Sequence, residues 1–426
     1  WIIDDHTKAG ILARKEGPNP HDHVGLSPFL VAPYSVPLRS LYAREVPNLL
    51  FAGRVMSASR LVFNSLRVMR TLAVIGQAAG TAAAHSIRTQ RLPHEFSGPD
   101  LHAIQQSLLR QDCYIPRVRN EDPDDVARGA RVTASSSAAF QVKPAANGLA
   151  LTRPLAQILP LSAWPERVRV FVRNKGSTEA VVRGTLHRAD DIWDLPALEK
   201  GDCAHVTLAV PPNSEGPVEA NVEGAASAPG LFWLRLAPAP NVTWLFQADP
   251  LPGCTAAKWE KDSWMFAPGT FTEWPPFAAD VLPLSRPFGP ENIVNGVARP
   301  ETWPNVWLSE DGLPQWCRLE LPNAVDLERI QMAWGLNFHR TYSQMPPFFR
   351  APECSRDYRI EVECGEGTRR LWAEVRGNYQ RLRVHNRPPD LRGPVRAIVI
   401  TIAATNGVPQ VEIAEVRVYR ASGRRP

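Results

Sequence analysis

Residues 48–84 read NLLFAGRVMSASRLVFNSLRVMRTLAVIGQAAGTAAA. The run Asn48–Ala52 follows a turn signal at Val46–Asn48 and is broken by Gly53, which predicts a short buried strand. From about Leu66 to Arg88 the pattern is helical and rich in small residues. A strand that leads into a helix indicates an α/β fold for this part of the chain.

One face of that predicted helix carries a narrow stripe of small side chains. The stripe consists of Ala73, Gly76, Gly80 and Ala83, spaced by three or four residues. Such a stripe lets another backbone or a flat ligand approach the helix closely. The alternative interpretation is an ordinary buried helix with an Ala/Gly face.

The composition changes near residue 120. Of the 13 Trp, only Trp1 precedes that point, and the proline-broken acidic segment Asn120–Asp125 reads as a linker. A second helix, predicted over Leu101–Arg110, closes the part before it. We therefore predict a first domain at residues 1–120.

After the linker the pattern changes to short alternating strands separated by Pro and Gly turns, which predicts antiparallel β-sandwich modules. Clear examples are Arg167–Val172, Cys203–Val210 and Phe232–Leu236. We expect an intervening β-rich domain at residues 121–287 and a β-sandwich at residues 288–426. The predicted fold class is thus multidomain, α/β followed by all-β.

Bulk properties exclude several function classes. The net charge of the 426 residues is +5 without a long basic block, so nucleic-acid binding is not expected. No apolar run reaches the roughly 20 residues that span a bilayer. The pattern predicts no metal site, and no pair of catalytic carboxylates supports a polysaccharide lyase or hydrolase.

The six cysteines leave the redox compartment open. Two disulfides, Cys203–Cys254 and Cys354–Cys364, would suit an exported protein, whereas buried free thiols are the alternative. We favour export to the periplasm or the cell exterior. The chain starts at Trp1, so we also expect that an N-terminal part of the parent protein is missing.

Several motifs in order resemble the closing part of bacterial FAD-dependent oxidoreductases of the glutathione-reductase-like superfamily. They are Asp4–His6, Pro33–Leu41, Asn48–Arg54, Ser57–Ser59, Arg67–Met69 and Gly76–Ala84. The resemblance covers about residues 1–118 and implies FAD as cofactor and hydride transfer to or from a small-molecule substrate.

The resemblance also implies which residues contact the cofactor. The strand end at Ala52-Gly53 would lie beside the ribityl chain, and a helix that starts near Ser65–Val68 would point its N-terminus at the flavin. The complete cofactor-binding set that we predict is Ala52, Gly53, Arg54, Ser57, Arg67, Val68, Gly76 and Gln77. For Arg54 and Arg67, a surface ion pair is an equal alternative.

Candidate catalytic residues follow from the same segment. His6 ranks first among His6, His21 and His23, because a histidine near neutrality can transfer protons beside a flavin. Tyr34 and Arg39 are further candidates that line the site. A structural role is the alternative for each histidine.

The fingerprint G-x-G-x-x-G, which holds a dinucleotide pyrophosphate, is absent from the sequence. We therefore expect this chain by itself to bind FAD weakly or not at all and to be inactive, while the full-length parent is an enzyme.

Residues 288–420 resemble a discoidin-like (factor 5/8 C-type) galactose-binding sandwich, on Pro290–Gly296, Trp303–Trp307, Pro314–Leu321, Ala404–Gly407 and Ile413–Tyr419. Residues 131–136 look like the first strand of the same fold. The implied partner is a glycan, with contacts from Trp303, Trp307, His339 and Tyr342, whereas Trp316 is expected in the core. The leading hypothesis is an FAD-dependent oxidoreductase acting on an organic, carbohydrate-related substrate. The alternative is a glycan- or surface-binding protein with a vestigial flavin fold.

Overall fold

The computed structural model describes residues 31–267, 276–336, 350–364 and 368–421. The chain divides into two compact units between Asn120 and Glu121, which we call the N-terminal unit and the β unit.

The described part of the N-terminal unit contains three α-helices: α1 (Arg60–Leu66), α2 (Met69–Thr89) and α3 (Gly98–Arg110). Val68, with φ −76° and ψ 140°, separates α1 from α2, so the predicted helix begins at Met69. Helix α2 ends where Gln90 adopts a left-handed conformation with φ 54°. Helix α3 begins with a capping box, in which Ser97 and Asp100 satisfy each other's backbone N–H groups.

The prediction of a strand over Asn48–Ala52 is wrong. This segment forms only an isolated antiparallel bridge between Leu50 and Tyr42. The Phe51 N–H donates to the Leu41 carbonyl at 2.7 Å, and Gly53 then turns the chain with φ 77°. A strand needs a partner along its length, and here the pairing is limited to one short neighbouring segment.

Helix α2 buries a different face from its small-residue stripe. Its buried residues are Ile75, Ala79, Ala82 and His85. A Cβ built at Gly76 or Gly80 would meet nothing within 4 Å among the described residues. The stripe therefore lies open in the described part of the chain.

The described residues of the β unit form 21 strands. Their bounds are β1 (Arg131–Ala134), β2 (Pro144–Ala150), β3 (Leu155–Leu161), β4 (Arg167–Asn174), β5 (Ala180–Ala189), β6 (Ala204–Val210), β7 (Ser214–Asn221), β8 (Glu223–Gly224), β9 (Gly230–Leu236), β10 (Val242–Gln247), β11 (Ala256–Glu260), β12 (Ser263–Ala267), β13 (Ala279–Leu282), β14 (Trp307–Leu308), β15 (Gln315–Val325), β16 (Leu327–Trp334), β17 (Ser355–Cys364), β18 (Thr368–Val375), β19 (Leu382–Asn386), β20 (Val395–Thr405) and β21 (Glu412–Arg420).

These strands form two antiparallel sandwiches. In the C-terminal sandwich the sheet β1-β15-β20-β17-β18 faces the sheet β14-β21-β16-β19. In the inserted sandwich, made of β2–β13, the sheet β13-β4-β10-β2, with β7 beside β4, faces the sheet β12-β11-β3-β9-β5-β6-β8. The antiparallel β-sandwich modules predicted from the alternating pattern are confirmed.

The chain path connects the sandwiches in an unusual order. Strand β1 pairs with β15 of the C-terminal sandwich, with Arg131 opposite Glu320 and Ala134 opposite Cys317. The chain then builds the whole inserted sandwich before it returns at β14. One buried cluster includes Trp244 and Phe277 of the inserted sandwich together with Phe288 and Leu308.

The structure favours free thiols over the two disulfides considered from the sequence. All six are free, and Cys113, Cys254, Cys317 and Cys354 are buried. The described helices include none that is both long and apolar enough to cross a bilayer.

Candidate functional site

A cavity of about 730 Å³ lies within the N-terminal unit. This volume is in the range of small-molecule sites. Apolar side chains form much of its wall: Val36 from the segment before the helices, Leu66 from the end of α1, Ile75 from α2 and Ile104 from α3. Tyr34 and Arg39 also line it, so the structure brings together two of the three predicted catalytic candidates.

Proline fixes the segment that carries Tyr34 and Arg39. Pro37 precedes a 3₁₀ turn over Leu38–Leu41, in which the Ser40 N–H donates to the Pro37 carbonyl at 3.0 Å. Leu41 is buried and anchors the turn, while Tyr34 and Arg39 are exposed. The phenol and the guanidinium therefore stand where a ligand in the cavity can meet them.

The predicted cofactor set occupies a different surface from the cavity. None of Ala52, Gly53, Arg54, Ser57, Arg67, Val68, Gly76 and Gln77 lines it. Instead, Leu66 and Thr71 line the cavity from the junction of α1 and α2. These two residues flank Arg67 and Val68 of the predicted set along the chain.

Several members of that set have partners that fix their positions. The Ser57 N–H donates to the Ser40 carbonyl at 2.9 Å, and the Gln77 side-chain amide donates to Gln111 Oε1 at 3.1 Å. The Arg54 guanidinium lies 5.8 Å from the centre of the Phe63 ring. Gly53 has φ 77°, and a Cβ built there meets no described atom within 4 Å.

The first residue of α2 is exposed. Met69, which begins this 21-residue helix, is 87% accessible, and the first N–H groups of an α-helix have no partner within the helix.

A buried polar cluster between α2 and α3 escaped the sequence reasoning. His85 Nε2 lies 3.0 Å from Asp100 Oδ1, and the Arg91 guanidinium donates to Asp100 Oδ2 at 2.6 Å. The His85 hydrogen bond, followed by those from Ser97 and the charge of Arg91, holds the pKa of Asp100 well below its usual range. The pattern Ser97-x-x-Asp100 before a helix was the signal available.

Three predicted contacts lie outside the described residues: His6, His339 and Tyr342. Their roles stay predictions.

The two tryptophans predicted to contact a glycan differ sharply. The prediction that Trp307 contacts a glycan is wrong. Trp307 is fully buried in the core of the C-terminal sandwich, and its indole N–H donates to the Ser136 carbonyl at 2.8 Å. Trp303 is half-buried and lines a cleft of about 370 Å³ with Arg188, Asp190 and Thr302. The Trp303 indole N–H donates to the Pro287 carbonyl at 3.0 Å, which orients the ring.

Trp316, predicted in the core, is 40% exposed. Successive residues of a strand point to opposite faces, and Cys317 and Leu319 of β15 take the inner face. Trp316 therefore points outward.

One family model matches the first part of the chain. Residues 1–108 match the model of the family described as FAD dependent oxidoreductase. The predicted resemblance of this segment is confirmed. No curated protein matches the chain.

Solved structures similar to this chain include two bacterial carbohydrate-binding modules. The family 32 module of EndoD from Streptococcus pneumoniae is 18% identical, with 31% of this chain and 86% of that chain covered and a TM-score of 0.26. The family 32 module of NanJ from Clostridium perfringens, in complex with galactose, is 19% identical, with 32% and 86% covered and a TM-score of 0.24.

Proposed function

We propose that this chain is part of an FAD-dependent oxidoreductase that transfers a hydride between flavin and an organic, carbohydrate-related substrate, and that its sandwiches bind glycans. The match of residues 1–108 to the oxidoreductase family carries the proposal. The cavity bordered by Tyr34 and Arg39 in the same unit supports it. Export to the periplasm or the cell exterior stays a prediction.

The surface beside Ala52-Gly53 suits a flat cofactor, because no atom of the described residues lies within 4 Å of a Cβ built at Gly53. In our proposal Ala52, Gly53, Ser57 and the first turn of α2 hold the flavin. Bound FAD would supply the group that gains or loses the hydride. The backbone N–H groups at the start of α2 would stabilise negative charge that develops next to them.

The chain's own side chains position the substrate. The Tyr34 hydroxyl can donate a hydrogen bond to a substrate oxygen, and the Arg39 guanidinium can hold an anionic or strongly polar group. The apolar wall that includes Leu66 and Ile75 excludes water from one side. His6 is the proposed proton-transfer residue.

A binding function is the second candidate. The cleft beside Trp303 combines an aromatic ring with the Asp190 carboxylate and the Arg188 guanidinium, which suits a sugar ring with several hydroxyl groups. In that case the N-terminal unit would be a scaffold without redox activity.

The deciding experiment is the visible absorbance spectrum of the full-length parent protein, with release and identification of its chromophore. Bound FAD, and turnover with a panel of sugars and alcohols, would support the oxidoreductase. Tyr34→Phe and Arg39→Met should then lower kcat/KM while leaving the flavin spectrum unchanged.

A colourless protein that cannot be reconstituted with FAD would reject the proposal in favour of the binding function. This chain by itself should retain flavin weakly or not at all. Stoichiometric FAD on it would show that these residues suffice for binding.

A further inference from the structure

The outer face of the inserted sandwich carries a groove of about 300 Å³ on strands β5, β6 and β9. The strand register places Arg235, Thr185 and His205 in one row across the sheet, because Thr185 pairs with Arg235 on one side and with His205 on the other. Arg183 lies two residues from Thr185 on the same strand and therefore on the same face. All four residues line the groove.

The two arginines give the groove a positive charge. Among the described residues, neither Arg183 nor Arg235 forms an ion pair with a carboxylate. The Arg235 guanidinium lies 5.6 Å from the centre of the Trp264 ring, which restricts its orientation. A planar guanidinium held in this way is suited to bidentate binding of an oxyanion.

Hydrogen bonds of His187 determine whether the Thr185 hydroxyl can accept a hydrogen bond from a ligand. His187 is buried, and its Nδ1 lies 3.1 Å from the Lys200 carbonyl oxygen, so Nδ1 carries the hydrogen and donates. In the neutral ring Nε2 then accepts from the Thr185 hydroxyl at 2.8 Å. Burial lowers the pKa of His187, which favours the neutral ring. The Thr185 oxygen is consequently left as an acceptor.

A second acceptor stands at the other side of the groove. The Asp202 carboxylate lies 3.5 Å from His205 Nδ1 and is partly exposed. Glu223 pairs with His205 at the far end of the row, so negative charge increases away from the arginines. The groove therefore has Arg235 on the β9 side, Arg183 and Thr185 on the central strand β5, and the Asp202 carboxylate on the β6 side.

We propose that this groove binds a sugar-sized ligand with an oxyanion, a carboxylate or a sulfate, held by Arg183 and Arg235, and with hydroxyl groups that donate to Thr185 and Asp202. A surface that binds cations would not need the two arginines, and an apolar surface would not need the hydroxyl and carboxylate acceptors. The volume, about 300 Å³, suits one sugar unit. This site is separate from the flavin chemistry and does not depend on it.

Calorimetric titration of the whole chain tests the proposal with three probes: glucuronate, glucose 6-sulfate and glucose. We expect binding of at least one anionic sugar and a dissociation constant for glucose at least about tenfold weaker, which is the effect of one charge-assisted contact. Preference for glucuronate or for the sulfate distinguishes the two oxyanions. Equal affinity for glucose, or no binding of either anion, would overturn the proposal.

Variants locate the binding to this groove. Arg183→Gln and Arg235→Gln should each weaken binding of the anionic sugar by about tenfold. Arg183 is exposed, so its variant should fold even if Arg235→Gln disturbs the contact with Trp264. Lys175→Gln changes the charge equally at an exposed residue directly after β4, and this variant should bind like the parent chain. Equal loss in the Lys175 variant would show that only net charge matters and would reject the site.

Discussion

The N-terminal unit and the β unit differ in how far their large apolar side chains are buried. Large apolar residues of the N-terminal unit are exposed among the described residues, with Val55 67%, Met69 87% and Ile87 80% accessible. In the β unit Trp233, Trp244, Trp307 and Trp334 are all fully buried. The apolar surface that each fold removes from water sets its stability.

Burial of large side chains stabilises the β unit, whereas the N-terminal unit keeps several surfaces exposed. Each sandwich encloses its core between two sheets, so its large aromatic residues serve packing. The described helices of the N-terminal unit leave open a glycine turn, a helix N-terminus and a small-residue stripe, which are features suited to contact with another surface. We therefore expect core substitutions to have their largest effects in the β unit.

The largest effect should come from Trp244→Ala. Trp244 stacks on Phe277 with ring centres 4.7 Å apart, and its indole N–H donates to the Ala278 carbonyl at 3.0 Å. Loss of this side chain should lower the free energy of unfolding of the β unit by about 3–5 kcal/mol. Denaturant unfolding followed by tryptophan fluorescence measures it. The matched control is Trp316→Ala, which should cost less than about 1 kcal/mol because the ring is exposed. Equal losses would contradict the distinction.

A smaller effect should depend on pH. Burial, followed by repulsion from Glu353, raises the pKa of Glu412 to about 8 from its ordinary value of 4.5. The folded protein therefore holds a proton that the unfolded chain releases above pH 4.5, so this group lowers stability as pH rises from 4.5 through 8.

Glu412→Gln removes that titration and keeps an oxygen that accepts from the Leu336 N–H. The variant should exceed the parent in unfolding free energy by about 1–3 kcal/mol at pH 8, with the difference shrinking toward pH 5. Thermal melts across this range measure it. A difference that does not change with pH would show that Glu412 is not protonated in the folded state.

In the N-terminal unit, His85→Ala should cost about 1–2 kcal/mol, because it removes the hydrogen bond to Asp100 between α2 and α3. Hydrogen exchange of the α3 amides reports on this unit without interference from the sandwiches. Exposed His94→Ala is the control and should leave exchange unchanged. Exchange that stays slow in the His85 variant would mean that packing alone holds α3.

The smallest effect should come from Gly76→Ala. Because the added Cβ meets nothing within 4 Å, the variant should stabilise α2 by about 0.5–1 kcal/mol in this chain. In the full-length parent it should weaken FAD retention, because Gly76 belongs to the cofactor-binding set predicted from the sequence. Destabilisation of the chain itself would show that the position is not open.

Local structure followed from the sequence in several places. The alternation over residues 167–172 predicted a strand that the structure extends over Arg167–Asn174, and the helix predicted over Leu101–Arg110 begins three residues earlier, at Gly98. The strand predicted over Asn48–Ala52 was wrong, since an apolar run does not specify a partner. The flavin-family match was predictable because it depends on motifs in order, whereas the cavity depends on how three separate segments meet.

The order of fold classes, the resemblance of residues 1–108 to FAD dependent oxidoreductases and the period of the strands could all be read from the order of residues along the chain. These properties depend on residues that are near one another along the chain. The burial of Trp307, the exposure of Trp316 and the shared row of Arg235, Thr185 and His205 became visible only in the folded protein. Strand register and the face that meets a core arise from pairing between distant segments, which local patterns do not encode.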